Sequence, residues 1–451
     1  MNWRRLLLLG VDRFVRRSSL YREADKVKQY YALSLREQTH KQQALLTDLI
    51  VHAATNVPYY EKSLRSSGVI DSTGSVNLAL FGNVPFLTKA IIQNEYDQLR
   101  SRDLSQRRWY ENSTGGSTGE PVRFIQEASY HHMAVATQLY HQQILGLQPG
   151  MPHLLLWGSD RDILKGTLGR RAQIINFLNN RIFLNCFEMS NPDVRNFVET
   201  IVHRKPVLIQ AYADCVYELA RFINANEIEI EGIQAIITSA GNLYPFMRRE
   251  IQQAFNCRVS NRYGSREMGA IAFEELNAAG LRVNTYNHFV EIVDANGNPC
   301  APGEEGEIVI TSLHNYAMPF IRYKIGDRAV RSEETSGLYN SVLRFKNLTG
   351  RMTDVFLKKD GTVVSPIFFI HFLGVVHNSG WIKKVQIVQR DYDRIQVNLV
   401  PLNETSPQVL DKITSSIQQV MGPDCAVEFN IVDTIPVSPS GKFQYVRSLL
   451  N

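Results

Sequence analysis

The sequence predicts an α/β protein with a large N-terminal domain of mixed and parallel sheets, helices and a β-rich section, and a small C-terminal α+β domain. Three observations carry that expectation. Between residues 130 and 263 short apolar runs alternate with helical stretches, the pattern of parallel strands joined by crossover helices. From about residue 283 the strands follow one another directly, separated by Asn296-Gly297, Pro302-Gly303 and Gly326-Asp327, in the manner of hairpins. The chain, at 451 residues, exceeds one typical core, and the stretch after Gly350-Arg351 has a pattern of its own. The implied domains are 1–349 and 350–451.

Leu45, Leu46, Leu49, Ile50 and Ala53 recur at helical spacing. That helix stops at Val57-Pro58-Tyr59-Tyr60, because proline disfavours helical geometry in the residue before it. Thr88 is positioned to cap a helix over 89–96. Trp109-Tyr110 and 122–125 read as strands on either side of a glycine-rich stretch. A helix over 130–145 follows, then strands at 154–157 and 181–187. Asn191-Pro192 opens a helix to 202. Strands at 207–209, 235–238 and 258–263 alternate with helices at 216–223 and 245–255. Ligands in such sheets bind outside the carboxyl ends of the strands, where Ser239-Ala240-Gly241 and Tyr263-Gly264-Ser265 fall. Later strands are read at 290–293, 307–310 and 328–330. The C-terminal domain has strands at 385–388, 395–399 and 427–432 around a helix over 407–421.

Hydrophobic residues make up 44% of the chain and charged residues 21%, as in soluble globular proteins. A net charge of +5 suits small anionic ligands and is too weak and dispersed for nucleic acid. The five cysteines are scattered and none forms a Cys-x-x-Cys pair, so neither a disulfide framework nor a zinc knuckle is indicated and a cytoplasmic location is expected. The apolar run at 6–9, flanked by Arg4, Arg5, Arg13, Arg16 and Arg17, is too short to span a bilayer. It reads as a terminal helix, with weak peripheral membrane contact through residues 1–19 as the alternative.

The stretch STGGSTGEP at 113–121 organises the rest. Gly115, Gly116 and Gly119 let backbone N–H groups converge, and Ser113, Thr114, Ser117 and Thr118 add hydroxyl donors. Converging N–H groups form an anion-binding concavity. It is neither a Walker A loop nor a dinucleotide fingerprint; an exposed turn is the bland alternative. In Asn261-Arg262-Tyr263-Gly264-Ser265-Arg266-Glu267 an aromatic face can stack on a base, a serine can bind phosphate and a glutamate can hold Mg²⁺. Asp327, after Gly326, is suited to accept hydrogen bonds from ribose hydroxyls. Arg351 offers a cation to phosphate, and Lys442 follows Gly441 on a loop. Each alone is equally an ordinary turn or surface residue.

The ordered set STGGSTGEP, NRYGSRE, RYKIGD, GRMTD and PSGK resembles the motif series of the adenylate-forming, or acyl-CoA synthetase, superfamily. VPYYEKSLRSSGV, VPFLTK and PGEEGEIVITSLHNYAMPFIRYKIGD are similar to the phenylacetate–coenzyme A ligase branch, and GGSTGEPVRF to its capsule- and polysaccharide-biosynthesis members. The resemblance implies that the loop from Ser113 to Gly119 cradles the phosphates of ATP, that Tyr263 lies against adenine, that Ser265 sits near the α-phosphate with Gly264 beside it, and that Glu267 holds Mg²⁺. It implies that Asp327 binds ribose, Arg351 assists from the linker with Asp354 near the hinge, and Lys442 bridges the acid and the α-phosphate. Gly241 falls in the adenine-side segment; Tyr212, Ser239 and Ala240 border the pocket for a small carboxylic acid. The implied reaction forms an acyl adenylate and passes it to coenzyme A, or alternatively to an amine; a non-catalytic nucleotide-binding homologue is the rival. Glu120 stands where many members carry lysine, and 239–242 lack a glutamate common there. Glu274, Glu275 and Arg282 occupy the region where some relatives bind zinc, so no zinc is expected.

Overall fold

The computed structural model describes residues 3–10, 20–113, 122–157, 170–185, 191–239, 243–275, 278–332, 343–351, 356–359, 363–364, 382–401, 406–436 and 446–450. By its contacts the chain divides into two compact units, one reaching Asn347 and the other running from Leu348, with Gly326–Arg328 going with the second.

In the first unit the antiparallel pair β1 (Trp109–Ser113) and β2 (Arg123–Glu127) flanks the glycine-rich stretch. The remaining strands are β3 (His153–Trp157), β4 (Arg181–Asn185), β5 (Leu208–Tyr212), β6 (Ala235–Ser239), β7 (Arg258–Ser265), β8 (Gly269–Glu274), β9 (Leu281–Val283), β10 (His288–Val293), β11 (Glu305–Ser312), β12 (Tyr323–Arg331) and β13 (Arg344–Arg351). Among the described residues they form one sheet in the order β10-β11-β12-β13-β9-β8-β7-β6-β5-β3-β4. The pairings β3/β4, β3/β5, β5/β6 and β6/β7 are parallel; β7/β8, β8/β9, β9/β13 and β10/β11 are antiparallel. β5 and β6 are buried along their whole length, as parallel strands covered on both faces are. The helices Ala128–Ile144, Ala213–Ala225 and Pro245–Phe255 lie between strands in the chain.

Two expectations are corrected. The β-rich section begins at Gly269, well before residue 283; β8 opens at a glycine, β9 has three residues, and the turn between β7 and β8 carries none of the usual hairpin dipeptides. Gly326-Asp327 lies inside β12; Gly326 has φ +84°, so the glycine permits an irregular strand residue where a turn was read. Pro58 ends one helix, Leu35–Asn56, and also opens another, Pro58–Ser66, occupying the first helical turn of the new one. Thr88 caps Lys89–Asn94 through the Ile91 N–H.

The motif stretches of the N-terminal third converge on residues 315–323. The Tyr60 hydroxyl donates to the Pro319 carbonyl at 3.1 Å and accepts from the Ile321 N–H at 3.2 Å. Leu87 and Tyr323 form an isolated parallel bridge. Arg322, at φ +50°, donates to both carboxylate oxygens of Glu291 at 2.9 and 3.0 Å, to the Val84 carbonyl at 2.7 Å and to the Gly82 carbonyl. Its guanidinium lies 4.3 Å from the Phe86 ring centroid. Burial pushes the Glu291 carboxyl up despite the arginine.

In the second unit β14 (Phe356–Leu357) pairs with β15 (Val363–Val364). β16 (Ile382–Asp391), β17 (Arg394–Pro401), β18 (Ala426–Ile431) and β19 (Val446–Ser448) form a sheet in the order β18-β17-β16-β19. The helix Pro407–Met421 buries Ile413, Ile417 and Met421. Among the described residues no helix is long and apolar enough to cross a membrane.

Arg322→Met leaves the Glu291 carboxylate buried without its partner, so urea denaturation is expected to show a loss of about 3–5 kcal/mol. Adding Glu291→Leu restores part of it, the remainder reflecting the two uncapped carbonyls.

Candidate functional site

The site is built around β7, which changes partner partway along its length. Its first half pairs with β6 in parallel, Thr238 facing Asn261; its second half pairs with β8 antiparallel, Arg262 facing Phe273. The register slips between Tyr263 and Gly264. A Cβ on Gly264 would stand 2.3 Å from the Gly269 carbonyl oxygen, so the backbones approach too closely there for any other residue. Glycine at this position is set by strand packing, whatever else approaches it.

Downstream of the slip the chain turns through Ser265 to Gly269. The Ser265 hydroxyl oxygen accepts from the Met268 N–H at 3.1 Å and keeps its own hydrogen to donate. Glu267 is buried, 8% exposed, and its Oε1 accepts from the Tyr323 hydroxyl at 3.3 Å. Its carbonyl oxygen accepts from the Gln126 amide at 3.0 Å and the Tyr130 hydroxyl at 3.3 Å. Gln126 Oε1 in turn accepts from the Tyr110 hydroxyl and the Asn112 amide, both at 3.0 Å. One buried amide therefore ties β1, which leads into the glycine-rich stretch, to the backbone that presents Glu267. Asn315 fixes β2 from its other side, donating to the Ile125 carbonyl at 2.9 Å and accepting from the Glu127 N–H at 3.1 Å.

Tyr263 is half-buried, its ring 6.1 Å from that of Phe345. Ser113 is the last residue of β1; Thr114, Gly115, Gly116, Ser117, Thr118 and Gly119 lie outside the described residues, as do Ala240, Gly241, Asp354 and Lys442. Asp327 is half-buried within β12, and Arg351 is the last residue of β13. Ser239 and Tyr212 are buried at the carboxyl ends of β6 and β5.

Two further residues at those strand ends went unnoticed in the sequence. Trp157, at the end of β3, packs on Tyr212 with ring centroids 4.3 Å apart. Arg262 donates to the Ser239 hydroxyl at 3.3 Å and lies 6.0 Å from the Trp157 ring. The available signal was a charged residue inside a predicted central strand, an unusual place for arginine.

Glu267 presents a single carboxylate, and among the described residues no group of three or more His, Cys, Asp and Glu is arranged to hold a metal. Such a donor fits Mg²⁺ carried in on phosphate oxygens, since Mg²⁺ commonly takes one or two carboxylates plus substrate phosphates. Where zinc ligands were considered, Glu274 binds Arg248 at 2.7 Å, and Glu275 binds Arg282 at 2.6 Å and also Arg344.

Residues 356–448 match the family model of the CapK C-terminal domain. The chain is 24% identical to Protein CapK of Staphylococcus aureus over 396 residues, covering 86% of this chain and 84% of the relative. It is 21% identical to a phenylacetate-coenzyme A ligase of Thermus thermophilus over 327 residues, covering 70% and 71%. A 2-hydroxyisobutyryl-CoA ligase, solved in the postadenylation state with an acyl-AMP, shares the fold with a TM-score of 0.69 at 18% identity, covering 93% of this chain and 90% of that one.

Gly264→Ala is expected to lower the unfolding free energy by about 1–3 kcal/mol through overpacking. Gly82→Ala, with nothing within 4 Å of the added methyl, is expected to change it by about 0.5 kcal/mol or less. Urea titration of the two variants checks the contrast.

Proposed function

We propose that this chain, an enzyme of the adenylate-forming superfamily on its phenylacetate–coenzyme A ligase-like branch, uses ATP to activate a carboxylic acid as an acyl adenylate and then passes the acyl group to the thiol of coenzyme A. The observation that carries the reading is the convergence at the end of β7. A half-buried aromatic, a hydroxyl with a hydrogen to donate and a buried carboxylate lie within five residues, and Gln126 ties their backbone to the strand entering the glycine-rich stretch.

In this reading a carboxylate oxygen of the acid attacks the α-phosphorus of ATP, the bond to the β-phosphate bridging oxygen breaks, and pyrophosphate leaves. The step needs charge neutralisation and alignment and no acid–base pair. Ser113 to Gly119 hold the phosphates, Tyr263 flanks adenine, the Ser265 hydroxyl donates towards the α-phosphate, and Asp327 accepts from the ribose hydroxyls. Glu267 holds Mg²⁺, which supplies charge neutralisation on the phosphates. Arg351 and Lys442 bring two further cations, Lys442 between the acid and the α-phosphate. The sulfur of the acceptor then attacks the acyl carbon and AMP departs. Movement of residues 350–451 between the two half-reactions is the expected use of the boundary near Arg351. Similarity to Protein CapK, together with the form of the glycine-rich stretch, supports a product destined for surface polysaccharide. Cys257 and Cys425 are free thiols, which suits a reducing cytoplasm.

ATP–pyrophosphate exchange with Mg²⁺ across aryl, short-chain and hydroxy acids, without acceptor, tests the first half-reaction; exchange that depends on one acid class is expected. Coenzyme A or amines added afterwards identify the acceptor, a thioester being expected. Lys442→Ala is expected to abolish exchange while ATP affinity by calorimetry stays within about threefold of the wild type, since the lysine serves the transition state more than nucleotide binding. Loss of both activity and ATP binding, or of neither, contradicts its role.

A further inference from the structure

We infer that Arg262 binds a second carboxylate on the acid, so that the substrate is a dicarboxylic acid; the inference rests on the reading of this site as acid-activating. Several arginines of the first unit face carboxylates: Arg107 faces Asp103 and Glu127, Arg248 faces Glu274, Arg282 and Arg344 face Glu275, and Arg322 faces Glu291, while Arg181 turns to the Asn176 amide and Arg331 to the Cys300 carbonyl. Among the described residues Arg262 has only the Ser239 hydroxyl, at 3.3 Å. Its Nε is shut off from solvent with no hydrogen-bond partner.

Among the described residues no carboxylate forms an ion pair with it. His141, on the helix Ala128–Ile144, has its ring Nε2 2.9 Å from the Ser260 hydroxyl, and Ser260 and Arg262 lie two apart on β7, on one face. Burial, reinforced by Arg262, holds that imidazole down to about 3, so it is neutral at physiological pH. Tyr212, also near the guanidinium, has its ring tilted against that of Trp157. Burial pulls the Arg262 guanidinium down to about 10, which leaves it cationic at neutral pH. A desolvated charge with no counter-charge is costly, and a ligand carboxylate offsets that cost. The planar fork of N–H donors matches a carboxylate.

The position also suits an acid substrate. Trp157, Tyr212 and Ser239 end β3, β5 and β6, and ligands of parallel sheets bind beyond such ends. Arg262 and Tyr263 are adjacent on a strand, so their side chains leave opposite faces. An acid on the Arg262 face is thereby separated from a base on the Tyr263 face by the thickness of one strand. Trp157 and Tyr212 supply apolar surface beside the guanidinium.

The test is calorimetric titration of the full chain, without ATP, with matched acids: succinate against butyrate, and phthalate against benzoate. At least one dicarboxylate is expected to bind about tenfold or more tightly than its partner, the yield of one charge-assisted bidentate pair. Arg262→Met, similar in length and uncharged, is expected to abolish the preference, and Arg262→Lys to keep part of it. Equal affinities within both pairs overturn the inference, as does a preference that survives Arg262→Met or a loss shared equally by mono- and dicarboxylates. If Arg262→Met does not fold, the wild-type ratios decide. Dicarboxylate preference without ATP–pyrophosphate exchange upholds the Arg262 subsite and contradicts acid activation. Exchange with monocarboxylates alone upholds acid activation and overturns the subsite.

Discussion

The extended segment at 315–323 is the constraint on which the first unit depends. It runs through the interior outside regular helix, so its backbone polar groups need partners. Distant parts of the chain provide them. Tyr60 satisfies Pro319 and Ile321, Ser101 donates its N–H to Ala317, and Leu87 pairs with Arg322 and Lys324 through the backbone. The segment repays this by fixing β2 through Asn315 and by setting the Tyr323 hydroxyl against Glu267. Arg322 sits at its centre with a carboxylate, two carbonyls and an aromatic ring around one guanidinium. A buried cation so fully coordinated fixes geometry more than it adds net stability.

The second constraint is the change of partner along β7. A strand parallel to one neighbour and antiparallel to the other sits where the α/β half of the sheet meets its β-rich half. The register slips at Gly264, close to where those two hydrogen-bond patterns meet, and the turn after Ser265 carries Glu267. Neighbours in sequence thus face different surroundings: Arg262 reaches Ser239 at the parallel-strand ends, and Tyr263 packs near Phe345.

Much of this was legible in the chain. The helix at 407–421 and the helix at 245–255 match to the residue, because proline opens both and an apolar stripe runs their length. The apolar runs at 207–209 and 235–237 read as central strands, and β5 and β6 are buried throughout. Strands β8, β9 and β13 were illegible, since β8 begins at a glycine, β9 has three residues and β13 mixes Arg344, Lys346 and Asn347 with its apolar positions. Glu267 was legible as a carboxylate near a glycine turn, but its burial comes from Tyr323 and Gln126, 56 and 141 residues away. Arg262 is illegible for the same reason: its lack of a carboxylate partner among the described residues is a property of the assembled strand ends, which no local window contains.

The measurement that bears most directly on a site built at the turn of β7 is a crystal structure of the full chain with ATP and Mg²⁺. The account predicts adenine against the Tyr263 ring, the α-phosphate near the Ser265 hydroxyl and the metal on the Glu267 carboxylate. A nucleotide bound away from the end of β7, or a metal held by phosphates with Glu267 still engaged only by Tyr323, would contradict it.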